Sequence, residues 1–373
     1  MWLCYAIAIL PVAAGACFWV WSSRVCWWEW LGSGLLGLLV AVLFNVLAVQ
    51  AMTADSETWS GQVTGVTYEP PWTARWTTTS TTTDSKGHSH TTTTHHVQHH
   101  PENWLAHDTL GTVDVNKPTY DDFRVKLGAK TEKVWTSKLH FSSGDHNVYP
   151  TQNTTGVCIP VQAWRSFENR VKAAPSLFTF AKVPKDVPVF EYPANGNRYA
   201  SDRLRGTACA VPLLEWDKLN ARLGPTKKVN LIAVGFHGKD STLGQWQQAK
   251  WIGGRKNDLV ICFDESAKPT WVYVFGWTEQ DIVKRNLETL ILTKGFDSKV
   301  LPEIEKEVRA SYVIKDWKKF SYITVEPAGW MWWTLVIVMV LFQGGYWTWA
   351  FLNEAGKETL ARTLHARIWG IDP

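Results

Sequence analysis

Three long apolar runs stand near the ends of the chain, and the residues between them alternate apolar and polar positions in shorter segments. The runs cover 2–21, 31–49 and 330–351. A bilayer interior is about 30 Å thick and a helix rises about 1.5 Å per residue, so each run is long enough to cross it. We therefore predict an α+β membrane protein, in which two N-terminal transmembrane helices and one C-terminal transmembrane helix bracket a large water-soluble insert.

The distribution of tryptophan supports this prediction, because indole side chains prefer the headgroup layer of a bilayer. Eleven of the 24 tryptophans lie in or beside the runs: Trp2, Trp19, Trp21, Trp27, Trp28, Trp30, Trp330, Trp332, Trp333, Trp347 and Trp349. Two alternatives stay open. The runs could be core helices of a soluble protein, or the run at 2–21 could be a cleaved signal peptide, since Ala14-Gly15-Ala16-Cys17 loosely resembles a lipoprotein cleavage site.

Basic residues near the runs indicate an orientation. Arg24 lies between the first two runs, and three basic residues lie in the C-terminal tail. Cytoplasmic segments are enriched in lysine and arginine, which places both segments in the cytoplasm and the insert on the extracytoplasmic side of a cell inner membrane. The lysines at 315–319 favour the opposite orientation, but long domains translocate largely regardless of charge.

The predicted organisation has five parts. Residues 1–52 hold two spans, 328–352 hold the third, and 353–373 form a short cytoplasmic tail. The insert comprises a β-rich region, 53–202, with a His/Thr-rich hairpin at 72–100, and an α/β region, 203–327.

The β-rich prediction rests on β-branched residues and turn signals. Gly61–Tyr68 alternates like a strand before Pro70 and Pro71 interrupt it. A threonine run, the reversal Asp84–Gly87 and a His/Thr run then predict a long polar hairpin, solvated or docked against a partner. We also expect an amphipathic helix at 161–172 and a surface segment at 184–198.

The α/β prediction rests on apolar spacing. Strand patterns alternate with helical ones in the order α-β-α-β-β-α-α, which predicts helices packed on a small mixed sheet. The expected elements are helix 213–223, strand 229–234, helix 243–251, strands 258–263 and 271–275, and helices 279–292 and 301–312.

Short stretches of the insert resemble a family of uncharacterised bacterial and phage membrane proteins. They are Trp59-Ser60-Gly61-Gln62-Val63-Thr64, Tyr68-Glu69-Pro70-Pro71-Trp72, His100-Pro101-Glu102-Asn103-Trp104 and Trp251-Ile252-Gly253-Gly254-Arg255-Lys256-Asn257-Asp258. The resemblance covers most of the insert and implies a membrane protein without an established activity.

Residues 203–318 also resemble, more weakly, a TPM-type domain, through the order of elements and Trp251-Ile252-Gly253 before a strand. The acidic loop of TPM domains has no counterpart here, so this resemblance supplies no metal or phosphatase site.

Histidine clustering is the feature most suggestive of chemistry. Six of the eleven histidines lie in the hairpin: His88, His90, His95, His96, His99 and His100. On a strand, His95 and His99 would share one face and the other four the opposite face. In a helix, His95/His99 and His96/His100 would be chelating pairs. Imidazole binds Zn²⁺ and other divalent transition metals, so the six are candidate metal ligands beside the alternative of a solvated polar hairpin.

We therefore carry two functional hypotheses. The first is a membrane-anchored extracytoplasmic binding protein, in envelope assembly or host interaction, with the lipid bilayer and a protein partner or second copy as its partners. The second is a metal-binding sensor or metal-dependent hydrolase that uses the hairpin histidines. No nucleophile-elbow or phosphate-loop spacing is present, which favours a non-enzyme, and a net charge of +4 is too mild to indicate nucleic acid.

Asn45 and Gln343 are the notable polar residues within the spans and are expected to join helices by hydrogen bonds. An odd number of cysteines, Cys158, Cys209 and Cys262, lies in the insert and cannot pair fully within one chain.

Overall fold

The structure is a computed structural model, and it describes residues 27–128, 134–135, 147–174, 180–194, 196–206, 210–238, 240–266, 268–346 and 348–349. These residues fall into two compact units. One lies within 1–55, 167–179 and 318–373, and the other within 56–166 and 180–317. The predicted span at 2–21 and the tail at 353–373 lie outside the described residues.

Two apolar helices make up most of the described residues of the first unit. Helix α1 covers Trp27–Thr53, and a C-terminal helix covers Gly329–Tyr346. Among the described residues, these are the two helices long and apolar enough to cross a membrane. Large apolar side chains on both are exposed, such as Leu39 at 64% and Leu341 at 70%. A core helix of a soluble protein would bury such side chains. The mixed α+β character of the chain is confirmed, with two candidate spans.

The two helices contact each other through polar and apolar side chains. Ser33 Oγ donates a hydrogen bond of 2.6 Å to Gln343 Oε1, and Gln343 Nε2 donates one of 3.3 Å to the Ser33 carbonyl oxygen. Leu335 and Met339 are buried in the same contact, packed by Val40, Phe44 and Trp332. Gln343 therefore joins the helices, as expected of a polar residue within an apolar segment.

The β-rich part of the second unit is a six-stranded sheet. Its strands pair in the order β5-β4-β1-β7-β6, and β8 also pairs with β1. Strand β1 is antiparallel to both β4 and β7. The strands in chain order, with the separate hairpin β2–β3, are β1 (Ala54–Glu69), β2 (Trp72–Thr83), β3 (Ser89–His100), β4 (Asn103–Asp108), β5 (Gly111–Asp114), β6 (Val134–Trp135), β7 (Asn147–Gln152) and β8 (Pro160–Glu168).

Helix α2 (Lys117–Leu127) covers one face of this sheet. Its Tyr120, Phe123 and Leu127 are buried in one core with Val63 and Val66 of β1. The spacing of three and four residues places the helical side chains on one face, which explains why this short helix forms against the sheet.

The expected amphipathic helix at 161–172 is wrong. Residues 160–168 form β8, and only Arg170–Ala173, helix α3, is helical. Val161 and Gln162 are both buried beside β1. In so short a segment, the apolar residues fit both the helical period of 3.6 residues and the strand period of two. Pairing with β1 then stabilises the strand.

The α/β part is a four-stranded mixed sheet with the strand order β12-β11-β10-β9. Strands β9, β10 and β11 are parallel, and β12 is antiparallel to β11. All seven elements predicted between 213 and 312 are present close to their expected bounds. The elements of this part are β9 (Leu204–Arg205), α4 (Leu213–Lys227), β10 (Asn230–Phe236), α5 (Thr242–Lys250), β11 (Asp258–Asp264), β12 (Val272–Gly276), α6 (Ile282–Lys294) and α7 (Leu301–Ser311).

Both faces of this sheet are covered. Leu231 and Ala233 face a core formed with α4, α6 and α7. The alternate residues Ile232 and Val234 face a second core formed with α5 and with side chains between 187 and 192. Gln247 fixes that segment, because its side chain bonds to the backbone N–H and carbonyl groups of Phe190. The stretch at 184–194 therefore lies on the surface, as expected, and covers part of the second core.

The α/β part packs directly against the six-stranded sheet. Gly224 of α4 lies so close to β1 that an added Cβ would stand 2.1 Å from the Ser60 carbonyl oxygen. Arg203 is buried beside them and donates to Ser60 Oγ at 2.6 Å and to Gln162 Oε1 at 2.7 Å. Burial lowers the pKa of the Arg203 guanidinium. The β-rich and α/β parts therefore belong to one compact unit.

Candidate functional site

Proline-containing connectors separate the hairpin from the six-stranded sheet. Strands β1 and β4 pair as far as Glu69 and Asn103, and the hairpin begins at the pair Trp72–His100. The connectors are Pro70-Pro71 and Pro101-Glu102. Proline has no backbone N–H and therefore interrupts a strand ladder. The pairing stops at one side of the connectors and resumes at the other.

The hairpin is a two-stranded sheet of its own. Its twelve cross-strand pairs run from Trp72–His100 to Thr83–Ser89. Within the described part of the chain, no third strand pairs with β2 or β3. All side chains from Thr77 to His95 are exposed. Most of the hairpin is therefore a polar ribbon surrounded by solvent on both faces and along both edges.

The six candidate histidines are divided among three locations. His90, His96 and His100 lie on one face of β3, and His95 and His99 lie on the other. His88 precedes β3 and lies in the turn. The division between faces agrees with the strand interpretation, and the chelating pairs expected of a helix do not form.

The turn is organised by Asp84. Its carboxylate accepts hydrogen bonds from the backbone N–H groups of Lys86 at 2.9 Å and His88 at 2.8 Å. The bond from the His88 backbone contributes most to holding the pKa of Asp84 below its usual value. His88 Nδ1 and His90 Nε2 lie 3.3 and 3.9 Å from the same carboxylate. These contacts fix the reversal that the sequence indicates.

Two histidines stack on tryptophans across the hairpin. The ring centroids of Trp72 and His100 lie 4.0 Å apart, and the angle between their planes is 6°. The centroids of Trp76 and His96 lie 5.0 Å apart, with an angle of 15° between the planes. Ala74 lies between the two aromatic pairs and is only 2% exposed. Stacked pairs of this kind stabilise a hairpin beyond the area that they bury. The base of the hairpin is therefore its ordered, aromatic end.

A groove of about 600 Å³ opens beside these aromatic pairs. Its lining residues come from the hairpin, from the connectors and from the adjoining strand ends. Glu102 in its wall accepts a hydrogen bond of 3.2 Å from the Tyr68 hydroxyl. Burial, and next this bond, raise the pKa of Tyr68. The lining residues are Glu69, Trp72, Ala74, Trp76, Gln98, His100, Pro101, Glu102 and Asn103.

The metal-site prediction for the six histidines stays a prediction. Within the described ranges, no group of three or more His, Cys, Asp or Glu side chains is arranged to hold a metal ion. His96 Nε2 lies 2.8 Å from Thr78 Oγ1, and His99 Nδ1 lies 2.9 Å from Thr73 Oγ1. These ring nitrogens therefore have hydrogen-bond partners within the hairpin itself.

A second polar cluster lies at the carboxyl ends of the parallel strands. His237 Nδ1 is 3.1 Å from Glu265 Oε2, and the Glu265 side chain is only 2% exposed. Gly206 and Gly235 lie against this carboxylate, where a Cβ on either would collide with it. His237 and Gly238 form a bend directly after β10. Ligands of α/β sheets often bind at such strand ends, and the contact seen there joins the His237 ring to the Glu265 carboxylate.

Comparisons with family models, curated proteins and solved structures give no match for this chain. The resemblances noted in the sequence therefore remain predictions, and the geometry of the hairpin carries the functional argument.

His100 is the one candidate histidine that lines the groove, and the sequence does not predict the other lining residues. Glu69, Trp72, Trp76 and Glu102 were not recognised as site residues from the sequence. The available signal was Trp72-Thr73-Ala74-Arg75-Trp76, in which alternate positions carry two tryptophans and a small residue directly after a proline pair. That pattern predicts an aromatic strand face but not what stands opposite it.

Proposed function

We propose that this chain is a membrane-anchored binding protein and that the hairpin β2–β3 contacts its protein partner. The anchor comprises three spans, at 2–21, 31–49 and 330–351, in a cell inner membrane. The insert faces the extracytoplasmic side, in envelope assembly or host interaction. The exposed two-stranded hairpin is the observation that carries this proposal.

The anchoring part is supported by the surfaces of the apolar helices. Leu35 and Leu43 on α1 and Ile337 and Val340 on the C-terminal helix are all more than half exposed. Exposing so many large apolar side chains to water is unfavourable, whereas hydrocarbon accommodates them. The contact between the helices leaves these side chains outward, as expected of a pair surrounded by lipid.

The binding part is supported by the open edges of the hairpin. Two-stranded hairpins are at best marginally stable alone in water. Exposed strand edges also attract further strands unless charges or prolines protect them. Between Thr77 and Thr83, and between Thr91 and Thr94, every residue is threonine or serine. The edges are thus suited to adding a strand from a protein partner, either a second copy or another protein.

Photo-crosslinking in the native membrane tests the proposal. The full chain carries Thr81→p-benzoylphenylalanine in the hairpin, and the control carries the same substitution at Thr289, an exposed position on α6. We expect a discrete adduct at Thr81 and none at Thr289. An adduct of about twice the 42.3 kDa chain mass identifies a second copy, and another mass identifies a different protein.

A second variant tests strand addition itself. Thr79→Lys places a charge beside the edge, which disfavours pairing with another strand. We expect the Thr81 adduct to weaken severalfold in this background. Equal labelling at Thr81 and Thr289, or an adduct unchanged by Thr79→Lys, contradicts the proposal.

A further inference from the structure

We propose that the groove at the base of the hairpin is a binding site for a low-molecular-mass organic cation, an ammonium group on a carbon body. This site is separate from the open edges of the hairpin, and the inference does not depend on the protein partner. It rests on which groups line the groove and on how the chain brings them together.

The lining combines aromatic rings with acidic groups. Trp72 and Trp76 supply indole rings, and Glu69 and Glu102 supply carboxylates. Among the described residues, the lining contains no lysine or arginine. Indole faces attract cations through the ring quadrupole, and carboxylates attract them directly. This chemistry favours an organic cation and disfavours phosphates, carboxylates and other anions.

The dimensions suit a small molecule. A volume of about 600 Å³ lies within the roughly 300–1,000 Å³ typical of small-molecule sites. Trp72 and Trp76 are four residues apart on one strand, which separates their backbone positions by about 13 Å. Ala74 between them has a short side chain and is 2% exposed. Ala74 is therefore covered by its neighbours, and a ligand in the groove would contact the indole rings rather than Ala74.

The acidic side of the groove is held in place by the fold. Glu69 ends β1 opposite Asn103, so both positions are fixed by the strand ladder. Glu102 follows Pro101, whose ring restricts the backbone, and accepts a hydrogen bond from Tyr68. Gln98 and Asn103 add amide groups to the lining. A preformed arrangement of this kind lowers the entropic cost of binding.

Ligand-observed NMR on the full chain in lipid nanodiscs tests the site. The probes are butylammonium and tetramethylammonium, with butanol and a methyl glycoside of N-acetylglucosamine as neutral comparisons. We expect saturation transfer to both cations and none to the neutral probes. Glu69→Gln and Glu102→Gln should each weaken cation binding by about tenfold, because each removes one charge-assisted contact.

Two further variants test whether binding depends on the groove itself rather than on the overall charge of the protein. Ala74→Leu overpacks the covered position between the aromatic pairs without changing any charge, so it should displace the indole rings and weaken cation binding. Glu191→Gln removes an exposed carboxylate in the segment at 184–194 and should leave binding unchanged. The proposal is overturned if neutral probes bind as well as the cations, if neither cation binds at millimolar concentration, or if the Glu69 and Glu102 variants behave like Glu191→Gln.

Discussion

At the scale of single residues, the hairpin histidines act mainly within the hairpin. His96 and His100 stack on tryptophans, and His96 and His99 also lie within hydrogen-bonding distance of threonine hydroxyls. His88 and His90 lie beside Asp84 in the turn, whereas His96 and His100 are spread along one face of β3. On one strand face, residues four apart are separated by about 13 Å, which is too far for one metal ion to join them.

This separation leads to a prediction about metal binding. We expect calorimetric titration of the full chain with Zn²⁺ or Ni²⁺ to show no micromolar site that depends on His95, His96, His99 and His100. The matched variant changes all four to alanine, and an Asp84→Asn variant reports any contribution of the turn. Micromolar or tighter binding that is lost on changing the four histidines would instead support the metal-sensor hypothesis.

At the scale of elements, the sequence predicted the α/β part well and the groove poorly. Strands such as β10 and β11 are continuous apolar runs, and the helices beside them show the helical spacing of apolar residues. The type and order of these elements therefore follow from the pattern. The segment at 161–172 was misassigned because pairing with β1, a long-range contact, decides its structure. The proline break at Pro70-Pro71 follows from the sequence, but the groove also depends on the register of Trp72 with His100, which local spacing does not give.

The close approach of α4 to β1 gives a prediction about stability. In Gly224→Ala, the new Cβ would stand 2.1 Å from the Ser60 carbonyl oxygen, so helix or strand must move. Overpacking of this kind costs about 1–3 kcal/mol. We expect a lower thermal unfolding midpoint and faster proteolysis of the insert.

Gly196→Ala is the control for that experiment, because an added Cβ there meets no atom within 4 Å. We expect its unfolding midpoint to match that of the unchanged chain. If Gly224→Ala were equally neutral, the two sheets would not be packed as described.

At the scale of the whole molecule, two parts of the chain are adapted to different solvents. The apolar helices expose their large side chains, whereas the insert buries its own around two sheets and exposes a polar hairpin. Within the described helices, Ser33 and Gln343 satisfy each other's polar groups. We infer that the membrane segments hold the insert at the bilayer and that binding takes place on the insert.

Site-specific labelling of the hairpin tests this account most directly. In a full chain whose native cysteines are replaced by alanine, Thr81→Cys reports the hairpin and Thr363→Cys reports the tail. We predict that a membrane-impermeant maleimide labels Thr81→Cys in intact spheroplasts and labels Thr363→Cys only after lysis, with the chain retained in carbonate-washed membranes. Labelling of the hairpin only after lysis, or release of the chain by carbonate, would contradict the account.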